Sequence, residues 1–371
     1  ILWFIATYLL ISIGLSVSLN HPLRKTTKIL IYAALITLTP PLIDLAAGTR
    51  GQMNYIYTIT DYQVPIWQVI KTYLTMLFRP FSRPSGVSAG IMVEAYFITI
   101  LPFFYGISLK KGFIRSVVAS IATYTAVYIM AVIPYITSKL EFILKGSGIL
   151  NSYTHLNIEQ SCYILIGIIL PFMSIGIAGE GIKIFFKGSR FGRLIHYYFL
   201  LFAGILIGVG YTWENLLALN WGKILLAIVS IFYAQLAALA FNDLYDQEAD
   251  GINGKPNPVT QDKINAQQLK LIGGICVILS LLGALLVNYA MLYLMFVIIG
   301  ISFLYSIPPI RVKRFVGISS FTIALISFLV ALIGYGIAGE NFPNRLNNFP
   351  TAYLCTCLLY TSDAADELDG V

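Results

Sequence analysis

Charge is what this sequence has least of. Asp, Glu, Lys and Arg together make up 11% of its 371 residues, against about a quarter in ordinary soluble domains. With a hydrophobic share of 58% and a mean hydropathy of +0.80, that scarcity excludes a water-soluble globular fold and assigns the chain to a bilayer. Histidine is nearly absent: His21 and His155 are lone loop residues, and His196 reads as a headgroup-level side chain. Four cysteines (Cys162, Cys276, Cys355, Cys357) show no metal-ligand spacing beyond one Cys-x-Cys pair, and no redox compartment follows from them. Low-complexity sequence and internal repeats are missing. So is an Asp-Gly-x-x-Ala-Arg string, which a lipid-headgroup phosphotransferase would need. Ile1 lies inside an apolar run with no charged leader, so the expectation is that native residues precede it.

What the chain does have is apolar length. Segments near 1–18, 28–48, 86–107, 112–137, 161–180, 195–213, 222–241, 268–288, 290–307 and 316–338 each approach the roughly 20 residues a spanning helix needs. The expected fold is therefore all-α: a polytopic transmembrane helical bundle of about ten spans. The stretch 53–77 mixes Tyr, Gln, Asp and Lys with apolar residues and reads as a surface helix. Tyr (24) and Phe (23) are plentiful, as expected where rings sit at headgroup level.

The net charge of +7 does not point to nucleic acid, because the basic residues sit in short loops between spans. Arg24, Lys25 and Lys28 follow the first span, and Lys110, Lys111 and Arg115 the third. Lys183, Lys187, Arg190 and Arg193 follow the fifth, and Arg311, Lys313 and Arg314 the ninth. Alternation puts all four loops on the cytoplasmic side. The loop after the seventh span lands there too, and it is acidic. Lys71, Arg79 and Arg83 fit less well, in a loop long enough to count weakly.

That acidic loop reads Asn242-Asp243-Leu244-Tyr245-Asp246-Gln247-Glu248-Ala249-Asp250. At about 100° per residue, a continuous helix would gather Asn242, Asp243, Asp246 and Asp250 within about a quarter turn, with Glu248 facing away. Carboxylates crowded on one face repel unless something positive sits among them. Hard divalent cations with oxygen ligands are the natural counter-ions, Mg²⁺ above all, since it pairs a few carboxylates with substrate phosphates. Clustered charge at the edge of a span marks a functional site. Glu94 and Glu180, within or at the end of spans, show no basic partner in the sequence and receive no role.

The string Phe241-Asn242-Asp243-x-x-Asp246-x-x-x-Asp250 resembles the first aspartate motif of the UbiA family of intramembrane prenyltransferases. Arg193-Leu194-Ile195-His196-Tyr197 opens a span much as that family's first helix opens. Tyr305-Ser306-Ile307-Pro308-Pro309-Ile310-Arg311-Val312-Lys313 is similar to its Tyr-Ser-x-Pro-Pro-x-x-x-Lys loop. The resemblance covers about 185–345. It implies a helical bundle in which an isoprenyl diphosphate is held by Mg²⁺ on aspartates from two loops, and the allylic cation alkylates an aromatic or other lipophilic acceptor. Carried onto this chain, it makes Asp243, Asp246 and Asp250 catalytic, with Asn242, Asp246 and Asp250 as metal ligands. Asn242, Lys255, Arg311 and Lys313 would bind the substrate diphosphate, Arg311 preferred for its bidentate fork.

Two departures qualify the match. Where the family commonly continues to Arg-Pro-x-x-Ser-Gly, this chain has Lys255-Pro256-Asn257-Pro258-Val259-Thr260-Gln261, with Lys255 the expected substitute for the arginine's charge. The family's second aspartate motif lies beyond the point this chain reaches. Residues 357–371 read as a translated sequencing adapter, whose Asp363, Asp366 and Asp369 would imitate a metal motif by accident. The expected organisation is thus an N-terminal membrane domain of unknown function over 1–184, a partial prenyltransferase domain over 185–356, and an artefact beyond. The fragment is expected to be inactive, the native enzyme to sit in a prokaryotic cytoplasmic membrane. A transporter or ion-handling bundle with an acidic vestibule is the alternative; transporters, however, place ionisable residues near the bilayer midplane, not at its edge.

Overall fold

The computed structural model describes residues 1–48, 63–78, 88–146, 156–178, 185, 191–252, 257–261 and 264–338; Lys255, Glu180 and the whole of 339–371 lie outside them. Among the described residues every regular element is helical. Seven helices are long and apolar enough to cross a membrane: Leu23–Ala46, Phe113–Ala131, Ile158–Ile177, Trp221–Tyr245, Ala266–Val287, Tyr289–Ser306 and Gly317–Ala338. Leu2–Ser18, Met92–Ser108 and Leu194–Val209 are apolar but shorter. Against the expected ten or so spans, seven of full length are found among the described residues. The segment expected over 195–213 is cut short by the turn after Val209, where Gly210 has φ +74°.

The chain divides into two compact units, Ile1–Ser147 with Leu156–Ala178, and Gly148–His155 with Gly179–Val371. The first holds α1 (Leu2–Ser18), α2 (Leu23–Ala33), a 3-10 turn (Ala34–Leu38) and α3 (Thr39–Ala46). It continues with α4 (Ile66–Phe78), α5 (Ala89–Ser108), α6 (Phe113–Ala131), α7 (Ile133–Gly146) and α8 (Ile158–Ala178). The segment expected as one span over 112–137 is broken at Val132. At 13 residues, α4 is too short to span. It is held at its backbone instead: the Tyr128 and Tyr124 hydroxyls donate to the carbonyls of Val69 (2.8 Å) and Tyr73 (3.0 Å), and the Tyr135 hydroxyl to that of Val64 (3.0 Å), just before the helix. Asp44, buried on α3, accepts the Gly90 N–H at 2.9 Å.

The second unit carries α9 (Phe191–Val209), the short α10 (Trp213–Leu217), α11 (Trp221–Tyr245) and the short α12 (Gln247–Ile252). Then come α13 (Ala266–Val287), α14 (Tyr289–Ser306), a 3-10 turn (Val312–Arg314) and α15 (Val316–Ala338). Asparagine starts three of these helices. Asn220, Asn265 and Asn288 each accept an N–H of the first turn, and Asn265 with Gln268 closes a reciprocal capping box. Two pairings dominate the packing: α11 against α13, and α9 against α15. Glycine makes the second possible. A Cβ at Gly204 would run into the Ala331 carbonyl, and one at Gly334 into the Leu201 carbonyl. Gly204 and Gly208 on α9 thus lie against Ala331, Tyr335 and Ala338 of α15, and Gly334 against Leu201 of α9, the small-residue contact by which helices associate in lipid. In the first pairing, Ser230 donates to the buried Ser280 carbonyl at 2.7 Å.

Candidate active site

The acidic loop begins where α11 stops. Tyr245 is its last helical residue, and Asp246 caps it with φ −103° and ψ 9°; α12 then starts at Gln247. The single continuous helix assumed for 242–250 is therefore broken in two. The stripe survives the break because the hydrogen bonds keep their spacing: Asp246 N–H reaches the Asn242 carbonyl (2.9 Å) and Asp250 N–H the Asp246 carbonyl (2.8 Å). Glu248 is exposed.

The basic loop arrives from α14. Its Pro308–Pro309 bond is cis, and Arg311 sits at φ 41°, ψ 62°, a left-handed conformation uncommon outside glycine. The 3-10 turn that follows presents Lys313. α11 and α14 end side by side, the rings of Phe241 and Phe303 packed edge to face at 4.7 Å. One turn further on, the two loops meet.

Asp246 is the meeting point. Arg311 Nη2 donates to its Oδ1 and Lys313 Nζ to its Oδ2. All three side chains are largely shielded, 13% exposed for Asp246, 15% for Lys313 and 18% for Arg311. Lys313 Nζ also donates to Asn242 Oδ1 (2.8 Å), and the buried Ser306 hydroxyl donates to the same oxygen (3.2 Å). Burial pushes the Lys313 ammonium below the usual lysine range, and the nearby Arg311 charge adds to that; the Asp246 hydrogen bond and the charges of Asp246 and Asp250 pull the other way. Arg311 keeps one unused donor, its buried Nε–H, without an acceptor among the described residues.

Asp250 is held differently. Its Oδ2 accepts from the Nδ2 of Asn257 (2.9 Å), which also donates to the Asp243 backbone carbonyl (2.9 Å). Asp243 thus enters the arrangement through its main chain. Of the residues singled out in the sequence, Asn242, Asp246, Arg311 and Lys313 are brought into direct contact, and Asp250 lies one helical turn beyond Asp246. Lys255 lies outside the described residues, and Arg314 is exposed. Two participants went unrecognised, Asn257 and Ser306. Ser306 stood inside a quoted motif, and Asn257 inside the segment that departs from the family pattern.

Residues 195–364 match the model of the UbiA prenyltransferase family. Over this stretch, a little under half of its length, the chain is similar to that family. No curated protein and no solved structure matches the chain. The long apolar helices make the chain an integral membrane protein, and the matched stretch is similar to a family of intramembrane prenyltransferases. The match takes in the whole of α11 to α15 and with them both loops of the site.

Oxygen is the ligand chemistry on offer. No group of three His, Cys, Asp or Glu side chains converges among the described residues. Mg²⁺ does not require one, because it commonly takes one or two carboxylates and fills its octahedron with water and substrate phosphate. Asp246 and Asp250, with the amide oxygen of Asn242, fit that habit.

Proposed function

We propose that the UbiA segment transfers an isoprenyl group from an isoprenyl diphosphate to an aromatic or other lipophilic acceptor, with Mg²⁺ as cofactor and the acidic loop on the cytoplasmic side. The observation that carries the reading is the meeting of two loops at Asp246, where a carboxylate, an amide oxygen, a guanidinium and an ammonium share one half-buried spot. Solvated loops have no need of such a contact. A site that must hold both a metal and a diphosphate does.

Asp246, Asp250 and Asn242 would hold the metal, which supplies positive charge against the leaving diphosphate when bound. Arg311 and Lys313 are fixed cations aimed at the same negative charge as it develops. The unused Nε–H of Arg311 is a third donor, buried where an anionic oxygen would satisfy it. With a diphosphate bound, Arg311 and Lys313 would donate to phosphate oxygens in place of Asp246, leaving that carboxylate available as one of the residues that would hold Mg²⁺. The apolar walls of α11 to α15 keep water from the allylic cation, which would otherwise be quenched to an alcohol.

The test is turnover by the intact gene product in detergent or nanodiscs, with allylic diphosphates of graded length, aromatic acceptors and Mg²⁺. Prenyl transfer that stops on chelation is expected. Arg311→Gln is expected to raise the KM for the diphosphate at least about tenfold, the loss of roughly one charge-assisted hydrogen bond. Ion flux across vesicles without any prenyl transfer would overturn the reading in favour of a transporter.

A further inference from the structure

We propose that Asn257 is the positioning residue for Asp250, holding that carboxylate in place for a divalent cation while adding no charge of its own. The inference rests on the prenyl-transfer reading above and assigns a task to a residue outside the aspartate motif.

Asn257 is fully buried, 0% exposed, an expensive position for a primary amide unless every polar atom is used. Here the amide is engaged on both sides. Nδ2 donates to the Asp243 carbonyl and to Asp250 Oδ2, both at 2.9 Å, and Oδ1 accepts the Val259 N–H at 2.9 Å. Its own backbone carbonyl receives the Thr260 hydroxyl (3.0 Å) and the Gln261 N–H (3.2 Å). The amide has one orientation. Two of its neighbours are oxygens that only accept and the third is an N–H that only donates, so a flip would face oxygen with oxygen.

The bond to Asp243 explains the placement. Asp243 sits in the last turn of α11, where carbonyls lose their helical partners, and the break at Asp246 leaves that turn to be closed by something else. Asn257 closes it and, with the same nitrogen, fixes the carboxylate on α12. It therefore sets the position of Asp250 relative to the end of α11, across the break.

The contrast with Asp246 shows what a neutral partner achieves. Arg311 and Lys313 both neutralise Asp246 in this structure, so a metal must displace them. Among the described residues the Asp250 carboxylate hydrogen-bonds only the Asn257 amide, through Oδ2, while Lys313 acts on it at longer range. Its Oδ1 makes no hydrogen bond to a described residue and so stands open to a cation.

Calorimetric titration of Mg²⁺ into the purified intact protein, with no diphosphate present, tests this through a four-member cycle: unsubstituted, N257A, D250N and the double variant. The expected result is about a tenfold weaker Mg²⁺ affinity in N257A and no further weakening when N257A is added to D250N. Should N257A fail to fold, N257S, which keeps a hydroxyl donor, enters the same cycle and is expected to lose less than tenfold. Equal loss from the Asn257 substitution with and without the Asp250 carboxylate would show a merely structural residue and overturn the proposal. So would an unchanged affinity. Absence of Mg²⁺ binding by the unsubstituted protein, with or without pyrophosphate, would instead bring down the prenyl-transfer reading and this inference with it.

Discussion

Replacing Asp246 with asparagine keeps its shape and removes its charge, leaving Arg311 and Lys313 facing each other with no counter-ion. The loss of stability follows from the burial. Fully exposed ion pairs contribute about 0–1 kcal/mol, whereas stripping one partner from a buried pair destabilises by about 3–5 kcal/mol. Side chains 13–18% exposed stand nearer the second case, and Asp246 serves two cations at once. A loss of about 3 kcal/mol is expected for Asp246→Asn. Reversible denaturation in mixed detergent micelles measures it, compared with Arg311→Met/Lys313→Met and with all three changes together. In the background without the two cations, removal of Asp246 is expected to lose less than about 1 kcal/mol, or to stabilise, because the carboxylate there is itself an unpaired charge. Equal losses in the two backgrounds would refute the reasoning, as would a loss below about 1 kcal/mol in the native one. Either result would mean that the two loops are not tied together through this residue.

Two further outcomes follow from the packing and the hydrogen bonds. Gly204→Leu or Gly334→Leu is expected to disrupt the seam between α9 and α15 and lower the thermal midpoint in detergent by several degrees, whereas Gly274→Ala, where a new Cβ meets nothing within 4 Å, is expected to leave it unchanged; equal effects at all three would contradict the close approach. Ser306→Ala removes one of two donors to Asn242 and is expected to cost about 1 kcal/mol of stability, with prenyl transfer reduced severalfold at unaltered acceptor KM; a wild-type rate would show that the Asn242 amide is oriented by Lys313 alone.

How far the sequence could be read depends on the range of the interaction. Helical class was legible because each apolar run is a local signal. Where runs fell short of a full span, as in 195–213, the cause was a turn of the kind found at Gly210, whose φ of +74° ends α9 early. The stripe through Asn242, Asp246 and Asp250 was also local, and its hydrogen-bond spacing outlived the helix break that hydrophobicity gave no hint of. The pairing of Asp246 with Arg311 and Lys313 was hidden, since it joins loops on either side of α13 and α14. Sequence could say only that a positive partner was required. Asn257 was hidden for another reason: a neutral amide carries no charge signal, and its bond to Asp250 depends on a loop turn that the sequence pattern does not announce. The glycine seam carried a signal, the Gly204-x-x-x-Gly208 spacing, that went unread among so many apolar residues.

That seam has a consequence for biogenesis. α9 leads its unit out of the ribosome, yet the surface shaped to receive it belongs to α15, synthesised only after both loops have emerged. Until then the hairpin of α11 and α13 can assemble by itself, while α9 waits in lipid with its glycine face unclaimed. Closure of the unit is thus a late event in translation. A nascent chain released before Gly334 would be left with the glycine face of α9 uncovered, its remaining tie being the Tyr198 hydroxyl on the Ile228 carbonyl of α11.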